Sequence, residues 1–144
     1  MTAPQFADTN LLIYAFDRTE PEKQERAREW LETLWRTHEG RVSYQVLSEF
    51  YAVCARKLIA DTPTARNLIT GLMEWQPATP GPSQMRRAWT LQDHYSLSWW
   101  DALVVASAKE QGCGYLLTED LQAGQDFEGM IVINPFRTRP SDLR

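Results

Sequence analysis

Short apolar segments alternate with helical patterns along this chain of 144 residues. The segments QFA, YLLT and MIVI, which begin at Gln5, Tyr115 and Met130, are short and continuous, as strands buried on both faces are. Between them, apolar residues recur at intervals of three and four, which is typical of amphipathic helices. This alternation predicts an α/β fold with a central, mostly parallel sheet, and residues 1–144 are interpreted as a single domain.

Five helices have clear starting signals. Proline near the first helical position and a hydroxyl side chain at the N-cap both favour a helix start. Such signals occur at Pro21, Ser43, Thr62, Ser83 and Ser98. The helix that begins at Ser98 is the most apolar of the chain and is predicted to close at Gly112. Residues 11–16 fit either a helix or a strand, because a short apolar run does not distinguish them.

Composition and charge limit the classes of protein to consider. The chain is 43% hydrophobic and 24% charged, which is ordinary for a folded protein. A net charge of −4 argues against a protein that coats nucleic acid through bulk electrostatics. Two isolated cysteines, Cys54 and Cys113, and only two histidines argue against a structural zinc site and favour buried thiols over a disulfide.

The sequence contains no apolar run near the roughly 20 residues that cross a bilayer. A charged segment followed by an apolar secretory signal is not evident at the N-terminus either. We therefore expect a cytoplasmic protein without membrane contact.

Four acidic residues stand beside strongly apolar segments. Asp8 directly follows the first strand, and Asp120 follows YLLT after one further residue. Asp101 lies in the first turn of the most apolar helix, and Glu49 lies inside the helix predicted from Ser43. Because ligands bind at the carboxyl ends of the strands in such sheets, we expect these carboxylates to converge at one edge.

Each of the four acids also has an ordinary explanation. Asp8 and Asp101 suit helix N-termini, Asp120 suits a turn, and Glu49 suits a solvated helix flank. Their joint occurrence favours a shared site instead. Several carboxylates within about 4–6 Å cannot all stay ionised without a counter-charge. All-oxygen donors favour Mg²⁺ or Mn²⁺, which polarises a phosphodiester and lowers the pKa of an attacking water.

These residues resemble the PIN domain family, and in particular the VapC-like toxins of type II toxin–antitoxin systems. The resemblance rests on DTN from Asp8, LSEF around Glu49, SWWDAL around Asp101 and LLTEDL around Asp120, and it extends to Phe136. It implies a three-layer α/β/α fold and a Mg²⁺- or Mn²⁺-dependent endoribonuclease that leaves a 5′-phosphate. It also implies a protein that often works as a homodimer.

The resemblance also implies roles for individual residues and a partner. By position it assigns the metal ligands and catalytic acids as Asp8, Glu49, Asp101 and Asp120. Glu119, beside Asp120, leaves the identity of the fourth ligand open. The polar residues expected to orient the acids are Thr9, Asn10 and Thr118. The family further implies a small antitoxin whose C-terminal segment would lie across the site.

Two other functions stay open on the sequence alone. An aspartyl phosphatase would use Asp8 as nucleophile, but such enzymes usually carry a second Asp two residues on, where this chain has Asn10. A non-catalytic PIN-fold module that binds RNA or protein is the second alternative, and four intact acids argue against it.

Candidate phosphate contacts for an RNA substrate are Arg18, Arg41, Arg56, Lys57, Arg86 and Arg87. Trp99 and Trp100 are expected in the core, with base stacking as the alternative.

Overall fold

Five short strands form one sheet within residues 3–143, the part of the chain that the computed structural model describes. They are β1 (Gln5–Ala7), β2 (Gly40–Arg41), β3 (Tyr115–Leu117), β4 (Asp126–Phe127) and β5 (Met130–Ile133). Their order is β2-β1-β3-β5-β4. The pairs β1–β2, β1–β3 and β3–β5 are parallel, whereas β4 is antiparallel to β5. The predicted mostly parallel sheet is therefore confirmed.

Six α-helices accompany this sheet in the same described range. They are α1 (Thr9–Tyr14), α2 (Pro21–Thr37), α3 (Tyr44–Lys57), α4 (Thr62–Leu72), α5 (Pro82–His94) and α6 (Trp99–Glu110). Sheet and helices together form the expected three-layer α/β/α arrangement. None of the helices within residues 3–143 combines the length and the apolar character needed to span a bilayer.

Capping side chains fix where the helices begin. Asp8 caps α1, its Oδ1 accepting a hydrogen bond from the Thr9 amide at 2.7 Å, and residues 11–14 of the ambiguous segment 11–16 belong to this helix. Ser43 and Ser98 cap α3 and α6 as predicted, with Oγ accepting from the Val46 and Asp101 amides. The predicted ends differ slightly: α5 starts at Pro82 rather than Ser83, and α6 ends at Glu110 rather than Gly112.

Hydrogen bonds hold the C-terminal segment against α2. Trp30 is completely buried, and its indole N–H donates to the carbonyl oxygens of Pro135 at 2.8 Å and Thr138 at 3.0 Å. Arg139 forms two hydrogen bonds of 3.1 Å with Glu29 on the same helix. The chain beyond β5 therefore runs alongside α2. Both cysteines are buried free thiols, as expected.

Candidate active site

The register of β1 and β3 places Asp8 beside Thr118. Ala7 pairs with Leu117, so the residues that follow these two strands are neighbours at the carboxyl edge of the sheet. The Thr118 hydroxyl donates to Asp8 Oδ2 at 2.8 Å. It also accepts from the Asp120 amide at 3.1 Å, which orients the turn after β3. One buried hydroxyl thus links two of the predicted acids.

The first turn of α1 connects Asp8 with two further acids. Thr9 Oγ1 donates to Glu49 Oε2 at 2.9 Å, and Asn10 Nδ2 donates to Asp120 Oδ2 at 2.8 Å. Glu49 additionally accepts from Gln45 Nε2 at 3.3 Å, a contact that the sequence did not reveal but that i, i+4 spacing on α3 explains. Asp8, Glu49 and Asp120 therefore belong to one hydrogen-bonded network.

Asp101 is connected to the other acids by its electrostatic interaction with Asp120. It lies at the N-terminus of α6, whose C-terminus leads into the start of β3, so Asp101 lies toward the carboxyl edge of the sheet. The negative charge of Asp101 contributes to raising the pKa of Asp120. We call the four residues Asp8, Glu49, Asp101 and Asp120 the acidic edge.

Burial and crowding both act on the acidic edge. Asp8 is 8% exposed, and its burial raises its pKa from 3.8 to about 6. The hydrogen bonds from Thr9 and Thr118 lower this pKa, whereas the charges of Asp120 and Glu49 raise it. The pKa of Asp120 is raised chiefly by burial and then by the neighbouring carboxylates, of which Glu119 contributes most.

The side chains of Glu119 and Asp120 have different partners. Glu119 Oε2 lies 2.9 Å from Lys23 Nζ, in an ion pair with α2. Asp120 accepts from Asn10 and is affected by the charges of Asp101 and Glu49. This arrangement favours Asp120 over Glu119 as the residue that shares a site with the other three acids.

The donor chemistry of the acidic edge fits a hard dication. All its donors are carboxylate oxygens, and two of the four residues have raised pKa values, as expected where negative charge is crowded. Across residues 3–143, no three Asp, Glu, His or Cys side chains are placed so that they already surround an ion. Three of the carboxylates are instead engaged by hydrogen bonds from Thr9, Asn10 and Thr118.

Several predicted RNA contacts are not close to the acidic edge. Arg41 ends β2, and its side chain donates back to the carbonyl oxygens of Gly40 and of His38, which precedes the strand, so it extends toward the opposite edge of the sheet. Arg86 and Arg87 line a cavity with Glu128, in the turn that precedes β5 at that opposite edge. Arg18 and Lys57 line another cavity with Leu58.

The two tryptophans before Asp101 have different surroundings. Trp99 is partly buried and packs against the core, as expected. Trp100, in contrast, is 63% exposed, so the prediction of a core position is wrong for this residue. Trp100 lies in the first turn of α6, ahead of the buried stretch of this helix from Ala102 to Ala108.

Comparisons with known proteins identify the family of this chain. A chain from a toxin–antitoxin complex from Klebsiella pneumoniae has a similar structure, with a TM-score of 0.66 and 20% sequence identity. The similarity covers 92% of this chain and 98% of the other, and at this identity it supports the fold. A comparison with curated proteins finds no match. The sequence matches the PIN domain over residues 6–125, a range that contains the entire acidic edge. The chain belongs to the PIN domain family.

Proposed function

We propose that this protein is a Mg²⁺- or Mn²⁺-dependent endoribonuclease, with Asp8, Glu49, Asp101 and Asp120 as the residues that hold the metal. The observation that carries the proposal is the acidic edge itself. It gathers carboxylates from four separate segments, two of them with raised pKa values, at the carboxyl edge of the sheet in a PIN domain. Carboxylates so arranged repel one another unless a cation is shared.

The ion, when bound, would supply Lewis acidity and lower the pKa of a water that attacks the phosphodiester. The chain's own residues orient the acids. The Thr9 amide and the Thr118 hydroxyl orient Asp8, because each donates a hydrogen bond to one of its carboxylate oxygens. Glu49 is held by Thr9, and Asp120 is held by Asn10. We expect no covalent intermediate between enzyme and substrate.

The biological setting is part of the same proposal. The similar structure comes from a toxin–antitoxin complex, and the residues around the four acids resemble VapC-like toxins. We propose that this chain, as a single nuclease domain, is the toxin of such a pair in the cytoplasm. A small antitoxin would then be its partner, and a homodimer its working form.

The phosphatase alternative is disfavoured by the environment of Asp8. Both of its carboxylate oxygens accept hydrogen bonds and the residue is almost fully buried, which is unsuitable for a nucleophile. Asn10, at the position where a phosphatase carries its second Asp, donates to Asp120 instead. A covalent acyl-phosphate trapped on Asp8 would reverse this preference.

The test is cleavage of RNA by the purified protein. We expect cleavage with Mg²⁺ or Mn²⁺, products with a 5′-phosphate, and inhibition by a chelator. Asp8→Asn and Asp101→Asn should each lower the rate by about a hundredfold or more, because each removes one of the few charged metal ligands. Undiminished cleavage by both variants would refute the assigned site. Tight RNA binding without turnover at any metal concentration would instead favour a non-catalytic binding module.

A further inference from the structure

A large aromatic side chain next to the acidic edge has no partner of its own. The indole of Trp100 is 63% exposed, and within residues 3–143 it forms no hydrogen bond, aromatic pair or cation–π contact. Other tryptophans are engaged: Trp30 donates to the Pro135 carbonyl, Trp35 packs against a second indole at 5.9 Å, and Trp99 packs against the core. Most of the Trp100 ring is therefore available to a ligand.

The position of Trp100 directs its ring toward the acidic edge. It directly precedes Asp101, and consecutive Cα atoms are only about 3.8 Å apart. Both residues lie in the first turn of α6, which is located toward the carboxyl edge of the sheet, as described above. Because side chains on a helix tilt toward its N-terminus, the indole extends out over this edge, on the side from which a substrate reaches the four acids.

The charge of the protein favours a nucleobase over a phosphate as the ligand of this ring. The chain has a net charge of −4, and its four carboxylates at this edge repel a phosphate backbone wherever a metal does not neutralise them. An aromatic face binds a base by stacking, which requires no cation and tolerates any sequence. Stacking therefore supplies affinity for RNA at a place where bulk electrostatics does not.

The surroundings of Trp100 are less suitable for a protein partner. Ser96 and Ser98, on its N-terminal side, are exposed and polar, whereas Leu97 and Trp99 are packed against the core. The indole is thus the one large apolar group that this segment exposes among the described residues. A stable protein–protein interface buries roughly 800 Å² on each partner, far more than a single ring, whereas one base covers one indole face.

We propose that Trp100 stacks on a base of the RNA substrate, next to the phosphodiester that is cleaved at the acidic edge. This inference rests on the proposed nuclease function and adds to it a residue that contacts a base. Trp100 is then a substrate-binding residue outside the metal site. The affinity that it contributes does not depend on salt concentration, because the contact is not ionic.

The test measures how variants of Trp100 bind a short single-stranded oligoribonucleotide in EDTA at several NaCl concentrations. Trp100→Ala should raise Kd about tenfold, within the range found when a stacking aromatic is replaced by alanine. The slope of log K against log salt should stay unchanged, because no phosphate contact is lost. Trp100→Tyr keeps an aromatic face and should retain most of the affinity. Trp100→Leu is apolar without a ring and should bind as weakly as Trp100→Ala.

Cleavage with Mn²⁺ and an altered substrate provide two further readouts. Trp100→Ala should raise KM by about the same tenfold with little change in kcat, since a stacked base is held equally in the ground state and the transition state. An abasic nucleotide beside the mapped cleavage position should weaken binding to the unmodified protein. It should weaken binding to Trp100→Ala no further, because the two changes remove the same contact.

Trp89→Ala is the matched control. Trp89 is 54% exposed and lies beside Met85, in the half of α5 whose Ser83 contacts Glu110 at the far end of α6. Its substitution should leave Kd unchanged. Equal effects of Trp89→Ala and Trp100→Ala, or full affinity of Trp100→Leu, would overturn the inference.

Two measurements on Trp100→Ala separate stacking from an indirect effect. Isothermal titration should show unchanged Mn²⁺ affinity, and a loss would mean that the substitution acts through Asp101 and would refute stacking. Analytical ultracentrifugation should show an unchanged oligomeric state, and a change would assign the indole to an interface between copies of the chain instead. Absence of Mn²⁺-dependent cleavage by the unmodified protein would overturn the proposed function, whereas binding in EDTA decides whether Trp100 contacts a base.

Discussion

Burial of Asp8 disfavours the charged form of its carboxyl group, and this lowers the free energy of unfolding at neutral pH. Its folded-state pKa of about 6 lies above the ordinary 3.8, so folding favours the protonated form. The stability associated with that proton is present below about pH 3.8 and is lost as the pH rises through about 6. At pH 7.5, without metal, the charged Asp8 therefore destabilises the fold by about 3 kcal/mol at most, from about 1.4 kcal/mol per pKa unit.

Replacing Asp8 with a neutral amide should therefore stabilise the protein while it lowers the cleavage rate. For Asp8→Asn in EDTA we expect unfolding free energy to rise by about 2 kcal/mol at pH 7.5, somewhat less than the maximum because the Thr118 hydrogen bond must be rearranged. The gain should shrink between pH 6 and pH 4. Urea unfolding at a series of pH values measures it, and a variant less stable than the parent at pH 7.5 would contradict the assigned environment.

Thr118 links Asp8 and Asp120 through a single buried hydroxyl, which is 2% exposed at the residue level. Thr118→Val keeps the shape but removes the donor to Asp8 and the acceptor for the Asp120 amide. We expect a loss of about 1–3 kcal/mol in stability and about a tenfold loss in Mn²⁺ affinity. Thr118→Ser keeps the hydroxyl and should retain most of the affinity. Isothermal titration with Mn²⁺ measures both variants, and equal affinities would exclude an orienting role.

Helix α6 carries Asp101 in its first turn, so the Ser98 N-cap supports both the helix and a proposed metal ligand. Ser98→Ala should cost about 1 kcal/mol of stability, because the Asp101 amide loses its acceptor. It should also lower the Mn²⁺-dependent cleavage rate. Asp61→Ala is the matched control, since Asp61 caps α4 by accepting from the Thr64 amide at 2.8 Å and α4 carries none of the four acids. Equal cleavage rates for the two variants would contradict the coupling of the cap to the site.

The elements that were predictable are those with strong local signals. Buried strands such as β3 and β5 are short and continuously apolar, and helices such as α3 and α6 start at serine caps. The strand β4 was missed because it has two residues and depends on a turn with positive φ at Glu128 and Gly129. Local pattern does not reveal pairing of that kind, which is set by contacts with β5.

The acids of the proposed site also have a stronger signal in the sequence than the residues around them. Asp8, Asp101 and Asp120 stand out because apolar segments flank them in sequence. Lys23 gives no such signal, since it lies on an ordinary charged face of α2 and meets Glu119 only in the folded chain, 96 residues away. The arginines predicted as phosphate contacts stand out by charge alone, and charge does not indicate which edge of the sheet a side chain reaches.

At the scale of the whole molecule, we expect the acidic edge to couple metal binding to the folding equilibrium. The chain has a net charge of −4, and four of its carboxylates belong to one edge of the sheet, so the folded protein without metal contains repulsion that the unfolded chain largely lacks. A cation that binds the folded state alone stabilises it by mass action, by about 2.7 kcal/mol at a hundred times Kd. Metal should therefore raise the melting temperature of the entire domain.

We expect millimolar Mn²⁺ to raise the melting temperature by several degrees, because one unfolding transition reports the whole linked equilibrium. Asp101→Asn should lose most of this shift, since it removes one of the negative charges that attract the ion. Glu110→Gln, at the other end of α6, removes a charge from the same helix and should keep the full shift. Differential scanning calorimetry in EDTA and in Mn²⁺ makes the comparison. A melting temperature that Mn²⁺ does not change, or equal shifts in the two variants, would mean that these carboxylates do not form a common site.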